Sequence, residues 1–187
     1  MYFKINDGKY NGFQYVSGLN ILKEEFNVNC HNPCCANGFY FADIANIFKF
    51  INYGYLTEVT LPCSALSGSS SATLLPCSAL SGSSSDNPDF KMIKDPKEDK
   101  YRANMIILGK RYDLSKVETL KYLIENGADI HADNDAIFRY NAENGNLDIV
   151  KYLVENGANV HAENNAAFSW SAYYSHWDVY QFLKSKC

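Results

Sequence analysis

No apolar run in this 187-residue chain approaches the roughly 20 residues that a membrane-crossing helix needs. The start, Met1-Tyr2-Phe3-Lys4-Ile5-Asn6-Asp7, lacks the pattern of a signal peptide. Positive charge is not in excess. Seventeen Lys and Arg against 21 Asp and Glu leave −4, which gives no general attraction to nucleic acid. There is no P-loop and no G-x-G-x-x-G, and no His pairs with a Ser or Cys at a recognised motif spacing. The six cysteines include no C-x-x-C, and without a secretory signal they read as reduced thiols. These absences leave a cytoplasmic, unsecreted protein for which no cofactor, membrane or nucleic-acid partner is expected. Hydrophobic residues at 47% and charged residues at 20% fit a folded protein of one or two small domains.

What is present is a repeat. Lys121 to Asn134 reads KYLIENGADIHADN, and Lys151 to Asn164 reads KYLVENGANVHAEN, an offset of 30 residues. Self-similarity at a fixed period marks stacked units that bury their apolar faces on one another. Leu147, Val150, Leu153 and Val154 lie on one face of a helix. Gly157 stands where that helix ends in a left-handed residue. Ala158 to Ala162 alternates as a short extended arm would. Ala136 to Asn144 reads as a second helix, closed by Gly145.

This unit resembles the ankyrin repeat. The run Gly145-Asn146-Leu147-Asp148-Ile149-Val150-Lys151-Tyr152-Leu153-Val154-Glu155-Asn156-Gly157-Ala158-Asn159-Val160 is similar to the family's second helix and turn. The family's T-P-L-H opening is replaced by Ala136-Ile137-Phe138-Arg139 and by Ala166-Ala167-Phe168-Ser169. The period is three short of the usual ~33, which implies clipped hairpin fingers. The compact period and the N-G-A-[DN]-[IV]-H-A ending resemble the ankyrin-repeat proteins of giant DNA viruses. The expected fold is therefore an α+β N-terminal domain followed by an all-α ankyrin-repeat stack, a helix-turn-helix solenoid. The domain spans 1–110, with a flexible Ser-rich insertion at 62–86. The repeats span 113–187: a partial unit at 113–131, a full unit at 132–161 and a C-terminal cap at 162–187. Because the first unit has no evident first helix, its face at Val117 to Ile124 must be covered by the N-terminal part or by another chain.

In the N-terminal part, Phe3-Lys4-Ile5, Gly12 to Val16, Gly38 to Phe41 and Tyr55 to Leu61 read as strands. Asp43 reads as the N-cap of an amphipathic helix carrying Ile44, Ile47, Phe48 and Ile51. Gly12-Phe13-Gln14-Tyr15, Gly38-Phe39-Tyr40-Phe41 and Tyr101-Arg102-Ala103-Asn104 resemble an uncharacterised module that precedes ankyrin repeats in some giant-virus proteins. Leu61 to Ser71 recurs word for word at Leu75 to Ser85, as a mobile Gly/Ser-rich insertion. Lys91 to Lys100 reads as a charged loop leading into a helix, and Tyr101 to Leu108 as helix or buried strand. Ser115 is the expected N-cap of the first repeat helix.

The chemical candidates are few. Cys30-His31-Asn32-Pro33-Cys34-Cys35 offers three thiols and an imidazole for zinc, but the spacing favours a turn of reduced thiols. His131 and His161 occupy equivalent places and read as side chains bonding the hairpin backbone. Phe168, Trp170, Trp177 and Tyr180 fit core positions of the last unit, with Tyr173 or Tyr174 exposed. The ankyrin resemblance implies a non-enzymatic protein-interaction module, a scaffold or adaptor. It places the protein-binding residues at Asp133, Asp135, Arg139, Glu143, Glu163, Asn165, Ser169 and Tyr173, an acidic set suited to a basic protein surface. Two alternatives stand beside it. One is a structural component of a larger viral assembly, with the chain as homo-oligomer or assembly subunit. The other is a nucleotide-related enzymatic activity of the N-terminal domain, whose Gly38-Phe39-Tyr40-Phe41-Ala42 strand resembles that of ADP-ribosyltransferases.

Overall fold

The computed structural model describes residues 1–6, 9–10, 13–27, 37–51, 55–62, 89–95 and 98–186. The Cys30–Cys35 cluster and the Ser-rich duplication from Cys63 onward lie outside the described residues. The chain forms two compact units, one of Met1–Asp43 and Gly54–Arg111, the other of Ile44–Tyr53 and Tyr112–Cys187.

The first unit is built on β-sheet. Its strands are β1 (Tyr2–Asn6), β2 (Lys9–Tyr10), β3 (Phe13–Gln14), β4 (Gly18–Ile21), β5 (Phe39–Asp43), β6 (Tyr55–Thr60), β7 (Met92–Lys94), β8 (Tyr101–Ala103) and β9 (Met105–Tyr112). Seven make one sheet in the order β4-β9-β6-β1-β5-β8-β7, and β2 and β3 pair by themselves. β1 runs antiparallel to both β5 and β6, β4 to β9, and β8 to both β5 and β7. Tyr15, Phe39, Phe41, Val59, Ala103, Ile106 and Leu108 form its apolar core, so the strands read from Gly38 to Phe41 and from Tyr55 onward are present.

Three local expectations are corrected here. Asp43 does not cap a helix, because it is the last residue of β5 and pairs with Tyr2. The helix expected after it is a single 3-10 turn, Ile47–Phe50, in a stretch of β-branched and aromatic residues that are poor helix formers. Lys91 to Lys100 is not a loop into a helix. Met92, Ile93 and Lys94 pair with Ala103, Arg102 and Tyr101 as an edge strand, and the charges crowd the following turn.

β1 is the central strand and is paired along both edges. Phe3 and Lys4 point to opposite sides and are both buried, so both faces of the strand are covered there. The Lys4 ammonium donates to the Tyr40 carbonyl at 2.8 Å and lies 4.8 Å from the centre of the Tyr15 ring. Burial pushes its pKa down to about 8. The unfolded chain then holds this proton between pH 8 and 10.5 while the folded chain does not, so Lys4 makes stability rise with pH across that window. Lys4→Met is expected to remove this rise. It should also gain up to about 3 kcal/mol near neutral pH, less about 1 kcal/mol for the lost bond to Tyr40. Urea unfolding of both proteins at pH 7 and 9.5 checks this, and a parallel pH dependence in the variant would refute it.

Arg102 is the second buried cation of the sheet. Its guanidinium donates to the carbonyls of Asn37 at 2.9 Å and Asn27 at 2.8 Å and sits 5.0 Å over the Phe26 ring. It thereby ties residues 27 and 37 together.

The second unit holds five helices, α1 (Val117–Glu125), α2 (Ala132–Glu143), α3 (Leu147–Glu155), α4 (Ala162–Tyr173) and α5 (Trp177–Lys184). α2 packs on α4, α2 on α3 and α4 on α5, and the outer helices α1, α3 and α5 follow one another. Leu120, Leu123, Ile137, Phe138, Ile149, Val150, Leu153, Val179 and Leu183 make its core. The first repeat has no inner helix. The 3-10 turn packs against α2 instead and buries Ile47 and Phe48 completely. An apolar turn from the sheet-forming stretch of sequence thus takes the part of the missing helix. Ser115 is not the N-cap of α1. Lys116 is, and both the amide and the hydroxyl of Ser115 donate to the Asp113 carboxylate, which holds its pKa below the usual value.

Candidate protein-binding surface

Each repeat is assembled from three backbone devices. The first ends every helix but the last. At the end of α3, Gly157 is left-handed at φ 97, its amide bonds Val154 O, and the Ala158 amide bonds Leu153 O. This pair of bonds satisfies the last carbonyls and reverses the chain. α1, α2 and α4 end the same way, with Gly127, Gly145 and Ser175 in the left-handed place.

The second device is a short side-chain-bonded turn. Asp129 Oδ1 accepts from the His131 amide at 2.9 Å, and Asn159 Oδ1 accepts from the His161 amide at 2.9 Å. The extended arm expected at Ala158 to Ala162 is not a strand. This turn takes its place and leads directly into α4.

The third device is a run of three left-handed residues. Asp133, Asn134 and Asp135 have φ between 52 and 58, and Glu163, Asn164 and Asn165 have φ between 48 and 64. Left-handed backbone costs a side-chain-bearing residue about 1–2 kcal/mol, least for Asn and Asp, which supply five of the six positions. Bonds made by the surrounding side chains offset the cost. His131 Nδ1–H donates to Asp135 Oδ1 at 3.0 Å, and His161 Nδ1–H to Asn165 Oδ1 at 2.6 Å. The two histidines thus bond a side chain four residues on, not the hairpin backbone expected from sequence. Arg139 Nε donates to Asn134 O at 3.0 Å and Arg139 Nη2 to Asp133 O at 2.7 Å. Two bonds stitch one repeat to the next: Asn134 Nδ2 to Glu163 Oε1 at 2.6 Å, and the Asn159 amide to Asp135 Oδ1 at 3.3 Å.

The right-handed part of each inner helix starts only after its left-handed run, at Ala136 and Ala166. The eight residues named from sequence form four pairs at the repeat offset: Asp133 with Glu163, Asp135 with Asn165, Arg139 with Ser169, and Glu143 with Tyr173. Because α2 and α4 pack side by side, the pairs run as parallel rows along one strip. Asp133, Glu163, Asn165, Ser169 and Tyr173 are exposed, and Arg139 and Glu143 are half-buried. Asp135 is buried, its carboxylate turned inward to His131 and Asn159. Arg139 is committed to the turn it closes. The outer strip is therefore carried by the acidic turn tips and by Glu143, Ser169 and Tyr173 along the helices.

Sequence reading misplaced two aromatics. Trp170 is 43% exposed and Trp177 is 58% exposed, whereas both were expected in the core. Their counterparts 30 residues earlier, Tyr140 and Leu147, are half-buried, because α2 and α3 have helices on both sides while α4 and α5 are flanked on one. Among the described residues no group of three or more His, Cys, Asp or Glu side chains could hold a metal ion, and no helix is long and apolar enough to cross a membrane.

Helix pairs stacked at a fixed period, each closed by a left-handed residue and joined by a short turn, define an ankyrin-type solenoid. Residues 111–187 match the family described as ankyrin repeats (3 copies), and the chain belongs to the ankyrin-repeat proteins. It is similar to three proteins of Acanthamoeba polyphaga mimivirus. Ankyrin repeat protein R868 is 39% identical over 137 residues, which cover 72% of this chain and 57% of that protein. Ankyrin repeat protein R896 is 40% identical over 150 residues, covering 79% and 38%. The uncharacterized protein R869 is 38% identical over 152 residues, covering 80% and 94%. The chain thus spans only about half of the first two relatives. Since the repeats begin near residue 111, matches covering 72–80% of the chain extend well into the sheet. No solved structure matches the chain.

Proposed function

We propose that this protein is a non-enzymatic adaptor or scaffold of a giant virus that captures a host protein on the strip formed by α2 and α4. One observation carries the reading. The rows Asp133/Glu163, Arg139/Ser169 and Glu143/Tyr173 stand side by side on stacked helices, outside the core, while the buried Asp135 holds the left-handed turn. Asn165 extends the strip at its turn end, and Asp135 supports it from beneath without reaching the partner. The partner's surface is basic, because Asp133, Glu143 and Glu163 dominate the strip. The place of action is the host cytoplasm or the virus particle.

The test is capture from an Acanthamoeba extract on immobilised full-length protein. Glu143→Arg with Ser169→Arg places two bulky cations on the strip outside the core, and the Ser169 change gives up one turn bond, from its hydroxyl to Asn165 O at 3.5 Å. The expected result is a retained protein that the double variant loses at least about tenfold, which corresponds to about 1.4 kcal/mol, with an unchanged circular-dichroism spectrum. Equal retention by both proteins would move the binding site elsewhere.

A further inference from the structure

Four aromatic rings on the last repeat stand in solvent. Tyr173 is 74% exposed and Tyr174 47%, beside Trp170 and Trp177. Three of them form a connected surface, while Trp177 meets Tyr180 edge-on at 5.9 Å. Tyr173 meets Tyr174 edge-on at 4.9 Å and Trp170 at 6.0 Å, and Trp170 stacks on Tyr174 at 6.2 Å. A large exposed apolar patch on a folded protein marks a contact site.

The repeat offset separates this patch from a stack that merely ends. The counterparts of Tyr173 and Tyr174 are Glu143 and Asn144, which remain half-buried and exposed although α4 lies against α2. The two tyrosines therefore occupy positions that stay at least partly open even when a neighbouring repeat is present. Two polar residues of the internal repeat have been replaced by aromatic ones on the solvent side.

Charge indicates what meets them. Residues 113–186 hold eleven Asp and Glu against six Lys and Arg, so the repeats are more acidic than the chain as a whole. Glu118, Asp148 and Asp178, each 30 residues from the next, put an exposed carboxylate in the first turn of every outer helix. Asp178 follows Trp177 in sequence, and its Oδ1 accepts from the Val179 amide at 2.8 Å. The basic residues of α5 and its end, Lys184 and Lys186, lie at the opposite end of that helix. A planar guanidinium lies flat on Trp or Tyr faces and pairs at its edge with a carboxylate, which a compact ammonium does less well. Within its first unit the chain makes the same kind of contact, with Arg111 seated 4.1 Å over the Tyr55 ring.

We propose that the aromatic face of Trp170, Tyr173 and Tyr174 binds arginine side chains of a basic peptide segment, with the exposed carboxylates of the repeats, Asp178 among them, supplying the complementary charge. This rests on the reading of the repeats as a protein-binding module and specifies the partner's chemistry at its C-terminal end.

The chain has only two tryptophans, Trp170 and Trp177, so its tryptophan emission reports on the last repeat alone. The full chain is titrated with a capped peptide of alternating arginine and serine, and with matched lysine–serine and glutamate–serine peptides. The arginine peptide is expected to change the emission saturably and to bind several-fold tighter than the lysine peptide, with no response to the glutamate peptide. Tyr173→Ala with Tyr174→Ala should weaken binding about tenfold, in the range of one or two lost cation–π contacts. Asp178→Asn should weaken it a few-fold and flatten its salt dependence. Both variants change exposed residues, and an unaltered circular-dichroism spectrum confirms that they fold. The proposal is overturned by an inert arginine peptide or by undiminished binding in the tyrosine variant. It is also overturned by emission that responds to protein concentration alone, which would assign the face to a second copy of the chain. Glu143→Arg with Ser169→Arg separates the two readings. If that variant loses host-protein capture while the arginine peptide proves inert on the native chain, the adaptor stands and this inference falls. If capture fails throughout, the adaptor falls.

Discussion

Phe48→Ala is expected to destabilise the helical repeats by about 4 kcal/mol, the usual cost of truncating a fully buried phenylalanine, although residue 48 lies within the sheet-forming part of the sequence. The ring is completely buried on the turn that packs against α2. An array this short has no spare layer, since a stack of about three units is near the minimum for stability. Thermal melts followed by the helical circular-dichroism signal should show a lower midpoint, and Phe48→Leu should recover most of the loss. An unchanged helical melt in the alanine variant would mean that the turn is no part of the array.

Gly145→Val should cost a comparable amount, about 4 kcal/mol from left-handed strain and overpacking together. Gly145 has φ 70, and a Cβ placed there would overlap the His176 ring. The two contributions can be separated. Ser175 closes α4 in the same left-handed place at φ 62, so the fold tolerates the strain of a side chain there. The excess at residue 145 comes from His176. Gly145→Ala in a His176→Ala background should therefore cost only about 1 kcal/mol more than His176→Ala alone. Ser175→Gly should be neutral or slightly stabilising. Chemical denaturation of these variants and of Gly145→Ala alone checks the set, and an equal cost of Gly145→Ala with and without the His176 ring would refute the overlap.

The parts of this fold that could be read from sequence are those set by spacing. The apolar stripe Leu147, Val150, Leu153 and the following Gly157 locate α3 and its end, because a helix periodicity and a left-handed terminus each leave a residue-type mark. The inner helix read from Ala136 agrees with the start of right-handed backbone there. Strands β1, β5 and β6 were visible as short apolar runs.

The missed features depend on what surrounds a residue. Asp43 looks like a cap until Tyr2 pairs with it. Ser115 looks like a cap until Asp113 takes both of its donors. Runs such as Asp133-Asn134-Asp135 announce a turn but not three consecutive left-handed residues, which His131 and Arg139 hold in one repeat and His161 in the next. On the candidate surface, seven of the eight named positions reach solvent at least in part. Asp135 does not, because its carboxylate serves the next repeat's Asn159 amide. Trp170 and Trp177 fit core positions of the repeat by sequence, and their exposure follows from the lack of a further repeat beside α4 and α5 among the described residues.

The layer that Ile47–Phe50 contributes has a bearing on how the chain is made. A ribosome releases this greasy turn about eighty residues before the α2 surface that shelters it. During that interval Ile47 and Phe48 must wait uncovered or rest on a temporary host, and the array cannot be completed until its first layer is retrieved from far upstream. An expression fragment begun at residue 112 would never receive that layer, and would emerge as a stack with its leading edge bare and prone to clump.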